Sequence, residues 1–132
     1  MQERIKLTIM NIKEFRELCL AVPGSKESIQ MTHDKIVAFK LMGKVFAATA
    51  LVPRDGRFVV HLKCDPERIA DLRERYAGII ATPFKTHPWN YVYLDSDVPD
   101  ALIAKLVHHS VDEVVKNLPK KKQEKYKALN YE

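Results

Sequence analysis

The chain has 132 residues, of which 46% are apolar and 30% charged, and it carries a net charge of +5 with a pI near 9.2. That length can bury a core without metal or disulfide staples, and the composition is that of a folded protein. Its apolar runs are too short to cross a bilayer, and MQERIKLTIM lacks the apolar stretch of an export signal. We therefore expect a cytoplasmic protein in which Cys19 and Cys64 are reduced, buried and unpaired.

Asn11 followed by Glu14 has the spacing of a capping box, with Met10 and Phe15 placed to staple it. Ile12, Phe15, Cys19 and Val22 then fall on one helical face, and Pro23-Gly24 stops the helix. DKIVAFKL predicts a strand, Met42-Gly43 a tight turn, and KVFAATALV a second strand. Pro53-Arg54-Asp55-Gly56 is a reverse-turn signal. It leads into RFVVHLKC, where Phe58, Val60, Leu62 and Cys64 alternate with Arg57, Val59, His61 and Lys63. The alternation predicts one buried and one wetter face, and the three strands form an antiparallel meander. Asp65 followed by Pro66 starts a helix with Ile69, Leu72 and Tyr76 inward. After a loop comes the strand WNYVYLD. Pro99 then opens a helix through Leu118 that buries Ile103, Val107, Val111 and Val114. The expected fold is α+β, in the order α-βββ-α-β-α, as one domain over residues 1–132. Its core runs from about 11 to 118, and a lysine-rich tail trails away over 119–132.

Charge is unevenly placed. Residues 33–63 carry +4 and the tail +3, whereas 95–118 carries −3. The distribution permits a polyanionic partner without requiring one. No phosphate loop, hydrolase elbow or convergent carboxylate pair is present, so we expect no catalysis and no cofactor. His108 and His109, with Asp112 and Glu113 one turn on, face two directions and lack a third ligand nearby, so no metal site is expected. Arg57, His61 and Lys63 share one strand face, Arg54 sits in one turn and Lys44 follows another. Such positions could reach phosphate oxygens from a rigid support. Trp89, Tyr91 and Tyr93 share a face that could stack on bases or could pack beneath a helix. We expect Trp89 to be an anchor, leaving Lys85 and His87 in the preceding loop freer to touch a ligand.

Three stretches, DKIVAFKLMGKVFA, DGRFVVHLKCDPERIADLRERYAGI and HPWNYVYLDSDVPDALIAKLVHHSVDEVVKNL, resemble the MmcQ/YjbR family of small bacterial proteins. The resemblance spans about Asn11 to Leu118. It implies a fold similar to the bacterial frataxin homologue CyaY, with a double-wing DNA-binding motif in which hairpins flank a helical layer. Two segments depart from the family pattern. QMTHDK stands where many relatives have an aromatic-Pro-Phe segment, and ATPFKTHPWN where many have a tyrosine-histidine-methionine loop. Iron binding of the frataxin kind would need an acidic ridge on the first helix, and Glu14 and Glu17 amid Lys13 and Arg16 do not make one.

The leading expectation is DNA bound through its backbone. Lys44, Arg54, Arg57 and Lys63 would be the principal contacts, with His61, Lys85 and His87 as secondary ones. The alternative is a small-molecule or protein partner held in a cleft around Phe84, His87 and Trp89.

Overall fold

A computed structural model of the chain describes residues 10–30, 35–82 and 88–130. Along it run α1 (Ile12–Leu20), β1 (Lys26–Gln30), β2 (Ile36–Leu41), β3 (Lys44–Ala50) and β4 (Val59–Lys63). Then come α2 (Pro66–Arg75), β5 (Ile79–Ala81), β6 (Trp89–Tyr93), α3 (Asp100–Lys116) and α4 (Lys120–Asn130). The strands pair antiparallel in one sheet of spatial order β1-β2-β3-β4-β6-β5.

Local chemistry sets the element boundaries. Asn11 accepts from the Glu14 amide at 2.8 Å, and the Glu14 carboxylate accepts from the Asn11 amide at 3.1 Å, so the capping box is complete. The Asp65 side chain caps α2 ahead of Pro66. Met42-Gly43 and Asp55-Gly56 both hold positive φ at two successive residues. That backbone matches the right-handed twist of a two-residue hairpin. In the second case the hairpin closes between Arg54 and Arg57, whose backbones exchange hydrogen bonds of 2.7 and 3.0 Å. The turn thus centres one residue later than the proline suggests.

Strand register sorts the sheet into two faces. Val37, Phe39, Ala47, Val60, Leu62 and Val92 share the face that carries the core. Phe15 of α1 meets Phe39 edge to face at 6.3 Å. Ile103, Val107, Val111 and Val114 of α3 and Leu72 of α2 join the same core. Both thiols are buried and unpaired; burial raises Cys19 well above the ordinary thiol range and Cys64 to about 11. Among the described residues, no helix lies on the opposite face of the sheet.

One polar insertion locks the layers together. Ser110, fully buried on α3, donates to the Phe46 carbonyl at 2.5 Å and accepts from the Lys63 amide at 2.9 Å. The β3–β4 ladder ends at Ala47 opposite Leu62, beside an irregularity where β2 shifts register against β3. The hydroxyl therefore takes over the two backbone groups just beyond the last pair. One residue earlier on α3, His109 Nε2 accepts from the Asp65 amide at 3.0 Å, fixing the junction into α2.

The observed order contains the expected α-βββ-α-β-α and adds three elements. β1 escapes hydrophobic patterning because its inward Glu27 pairs with Arg16 of α1 instead of packing in the core. β5 is three residues long. The lysine-rich segment does not trail away but forms α4. Gln123 donates to the carbonyls of Lys116 and Leu118, closing the end of α3, and Tyr126 is 4% exposed.

Replacing Ser110 with alanine leaves the Lys63 amide and the Phe46 carbonyl without their partner, which should cost about 2–4 kcal/mol. Urea unfolding measures it, and a loss below about 1 kcal/mol would mean that the strands close the gap themselves.

Candidate functional site

The face of the sheet away from the described helices takes its chemistry from alternate strand positions. Register opposes His61 to Tyr91, Lys63 to Trp89 and Val59 to Tyr93, all on this face, while Ala38, Ala48 and Ile80 supply small or aliphatic neighbours. Lys26 and Lys40 oppose one another on the same side toward the far edge. The segment after β3 leaves the strand and returns through the Arg54–Arg57 hairpin. It brings the Arg54 guanidinium to 5.7 Å from the Tyr91 ring centre and the Arg57 guanidinium to 5.6 Å from that of Tyr93. A cation near the face of a tyrosine is attracted by the ring quadrupole. The hairpin thus folds over its own sheet.

His61 lies between these partners, with its ring centre 4.5 Å from that of Tyr91. Burial first, and the nearby Arg54 charge second, lower its pKa from 6.5 to about 4. At neutral pH it is uncharged, so it can donate or accept a hydrogen bond but cannot neutralise a phosphate as a cation.

The sequence-derived candidates divide into groups. Arg54, Arg57, His61 and Lys63 share the face away from the described helices. Lys44 pairs with the core residue Leu41 and so belongs to the helix-bearing side, at the turn where β2 and β3 meet. Lys85, His87 and Phe84 lie outside the described residues. Trp89, expected to be an anchor, stands half-buried beside Lys63 on the face away from the described helices. The reason is register: its neighbour Asn90 takes the inward position, buried and accepting from Arg73 Nε at 2.8 Å. Sequence reasoning missed Lys26 because β1 itself was not visible, and it counted Lys40, on the expected strand DKIVAFKL, only in the charge of that segment.

Two concavities flank the hairpin. One, of about 440 Å³, has Ile36, Ala50 and Val59 in its wall, His61 and Tyr91 in its floor, and Val52, Pro53 and Arg54 at its lip. The other, about 430 Å³, sets Arg57 and Tyr93 near Asp55 and Asp97. Asp97 is engaged by the amides of Ala77 and Gly78 at 2.7 and 2.8 Å. Carboxylates therefore attend Arg57, whereas among the described residues none lines the concavity beside Arg54.

Elsewhere, the His109 Nε2 lone pair is taken by the Asp65 amide, and burial lowers the His109 pKa. Among the described residues, no three His, Cys, Asp or Glu side chains gather as a metal site, and no helix is long and apolar enough to cross a membrane.

These features define an α+β class: a six-stranded antiparallel sheet, helices on one face, and a basic and aromatic surface on the other. The family model YjbR matches residues 20–112, a span holding all six strands, and the chain belongs to the YjbR family. It is 33% identical over 116 residues to the "Uncharacterized protein YjbR" of Escherichia coli K12, covering 86% of this chain and 95% of that one. A crystal structure of a Deinococcus radiodurans protein superposes with a TM-score of 0.76 at 26% identity, covering 87% and 86% of the two chains. A Pseudomonas syringae protein shares the fold at a TM-score of 0.63 and 22% identity, covering 76% and 96%.

The His61 shift predicts a pH effect on stability. An unfolded imidazole takes up its proton near pH 6.5, whereas the folded one resists until about 4. The folded state is therefore penalised progressively as pH falls between those values, by about 3 kcal/mol at most, and feels no penalty above them. Urea unfolding of the protein and its His61→Gln variant at neutral pH and near pH 4 should show the variant losing less stability on acidification. Equal losses would contradict the assignment.

Proposed function

We propose that the protein binds DNA through the phosphate backbone, using the sheet face away from the described helices and its returning hairpin, without catalysis. The observation that supports this is the union of cations and aromatics on one face. Arg54, Arg57 and Lys63 stand beside Trp89, Tyr91 and Tyr93, and Lys26 and Lys40 extend the same face toward the far edge of the sheet. The carboxylate nearest to that face in β1, Glu27, is turned inward to Arg16. Cations supply sequence-independent phosphate affinity, and aromatic faces accept unstacked bases of any identity.

In this reading Arg54 and Lys63 are the strongest contacts. Arg57 is tempered by Asp55 and Asp97 nearby. Lys44 is a flanking contact at the sheet's rim, and Lys85 and His87 remain candidates from the sequence. His61 contributes a neutral hydrogen-bonding group. The hairpin bends over its sheet, so the binding surface is the sheet and hairpin together, not two projecting wings. No feature of the face selects a base edge, and binding should be nonspecific.

Counterion release makes the reading testable. The logarithm of the affinity should fall linearly with the logarithm of salt, by about 0.9 per phosphate contact on duplex DNA. Arg54→Ala and Lys63→Ala should each reduce that slope by about 1, in fluorescence anisotropy titrations at several salt concentrations. A shallow slope that neither variant alters would overturn the proposal.

A further inference from the structure

The concavity beside Arg54 has a chemistry distinct from that of a phosphate groove. Its wall is aliphatic, from Ile36, Ala50 and Val59 on three neighbouring strands. Val52, 53% exposed, stands at its lip. The floor is Tyr91, 8% exposed, with the His61 ring against it. Among the described residues the only charged side chain in the lining is Arg54. Its ring contact leaves that charge unneutralised, and among the described residues no ion pair involves it. At about 440 Å³ the space lies within the range of about 300–1,000 Å³ common for small-molecule sites, which are mostly apolar with a few placed polar groups.

We infer that this cleft takes a small organic anion: one carboxylate on an apolar body, paired with Arg54 and seated against Ile36, Val52 and Val59. Each alternative leaves something unmatched. A neutral apolar ligand would cover the guanidinium without compensating its charge, which is costly. A phosphate dianion would set its second charge against aliphatic walls. A monocarboxylate matches one guanidinium, whose planar fork of donors suits two carboxylate oxygens. His61, neutral at working pH, adds a hydrogen-bonding group without adding charge, so the site keeps its preference for a single negative charge.

The inference stands apart from the DNA reading, although both use Arg54. Benzoate is the probe, with benzamide as its neutral isostere, titrated into the full 132-residue chain and followed by ¹H–¹⁵N NMR. Benzoate should give saturable shifts at the amides of Ile36, Ala50, Val59 and His61, and benzamide should bind about tenfold more weakly or worse. Arg54→Gln should abolish the difference between the two ligands. Val52→Ser alters an exposed side chain and leaves folding intact. It should weaken benzoate while leaving the DNA titration unchanged, and Lys63→Ala should do the reverse. Benzoate shifts that follow the lysines of α4, or that match those of benzamide, or that survive Arg54→Gln, would each overturn the site. Loss of benzoate binding with an intact DNA salt slope would reject this inference alone.

Discussion

A single buried hydroxyl sets the relation between the two layers. Where β3 and β4 stop pairing, the Phe46 carbonyl and the Lys63 amide would be left unsatisfied in a dry interior. The Ser110 side chain reaches both from α3. Backbone groups buried without partners are costly enough that chains seldom leave them so. Supplying the partner from a helix fixes that helix against the sheet in direction and height. Because His109 holds the Asp65 amide one residue away, the same stretch of α3 also fixes where β4 hands over to α2. Packing of Ile103, Val107 and Val111 gives the contact its affinity; the two polar side chains give it its register.

That anchoring has a consequence on the far side of the sheet. With α1, α2 and α3 all drawn to one face, alternate residues of β4 and β6 are directed away from them. The pleat commits these residues in pairs: once Val60 and Leu62 are core, His61 and Lys63 cannot be. The hairpin supplies partial cover, and its arginines rest near tyrosine rings. A face that is aromatic, cationic and only partly covered is unusual for structure alone, because guanidinium groups placed near rings gain less than they would from a full ion pair in the same setting.

Much of this was legible in the residues. Capping chemistry marked the starts of α1 and α2 because a side chain must meet the orphan amides there, and period-two alternation marked β4 because one of its faces is truly dry. β1 was invisible for the opposite reason: its inward Glu27 is satisfied by Arg16, an ion pair between two elements that no local pattern announces. The helical character of α4 was hidden by its lysines, since only Tyr126 is buried and Gln123 acts through carbonyls of the preceding helix. The side that Trp89 faces was not legible locally; it follows from the pairing of β6 with β4, which turns Asn90 and Val92 inward, and from the bond of Arg73 to Asn90. The grouping of Arg54 with His61 and Tyr91 depends on a loop folding back across strands. Spacing along the chain holds no record of that.

The return of the hairpin also decides how the charge of Arg54 can be used. A guanidinium at the tip of a projecting turn would be fully hydrated, and any anion it met would have to displace that water for a small net gain. Held near Tyr91 and beside an aliphatic wall, the same group stays exposed to solvent but has a ring and apolar side chains next to it, and the nearest imidazole is kept neutral. An anion with an apolar body arriving there would gain contacts with that wall that a bare turn could not supply. Phosphate and carboxylate would compete for this one cation, since a guanidinium can present its fork of donors to only one of them at a time. Lys63, at the other end of β4 and paired across from Trp89, carries no such conflict and remains available to a polyanion whichever ligand holds Arg54. Under these two proposals the face would divide by its own geometry into a phosphate-binding end at Lys63 and an anion-selective end at Arg54.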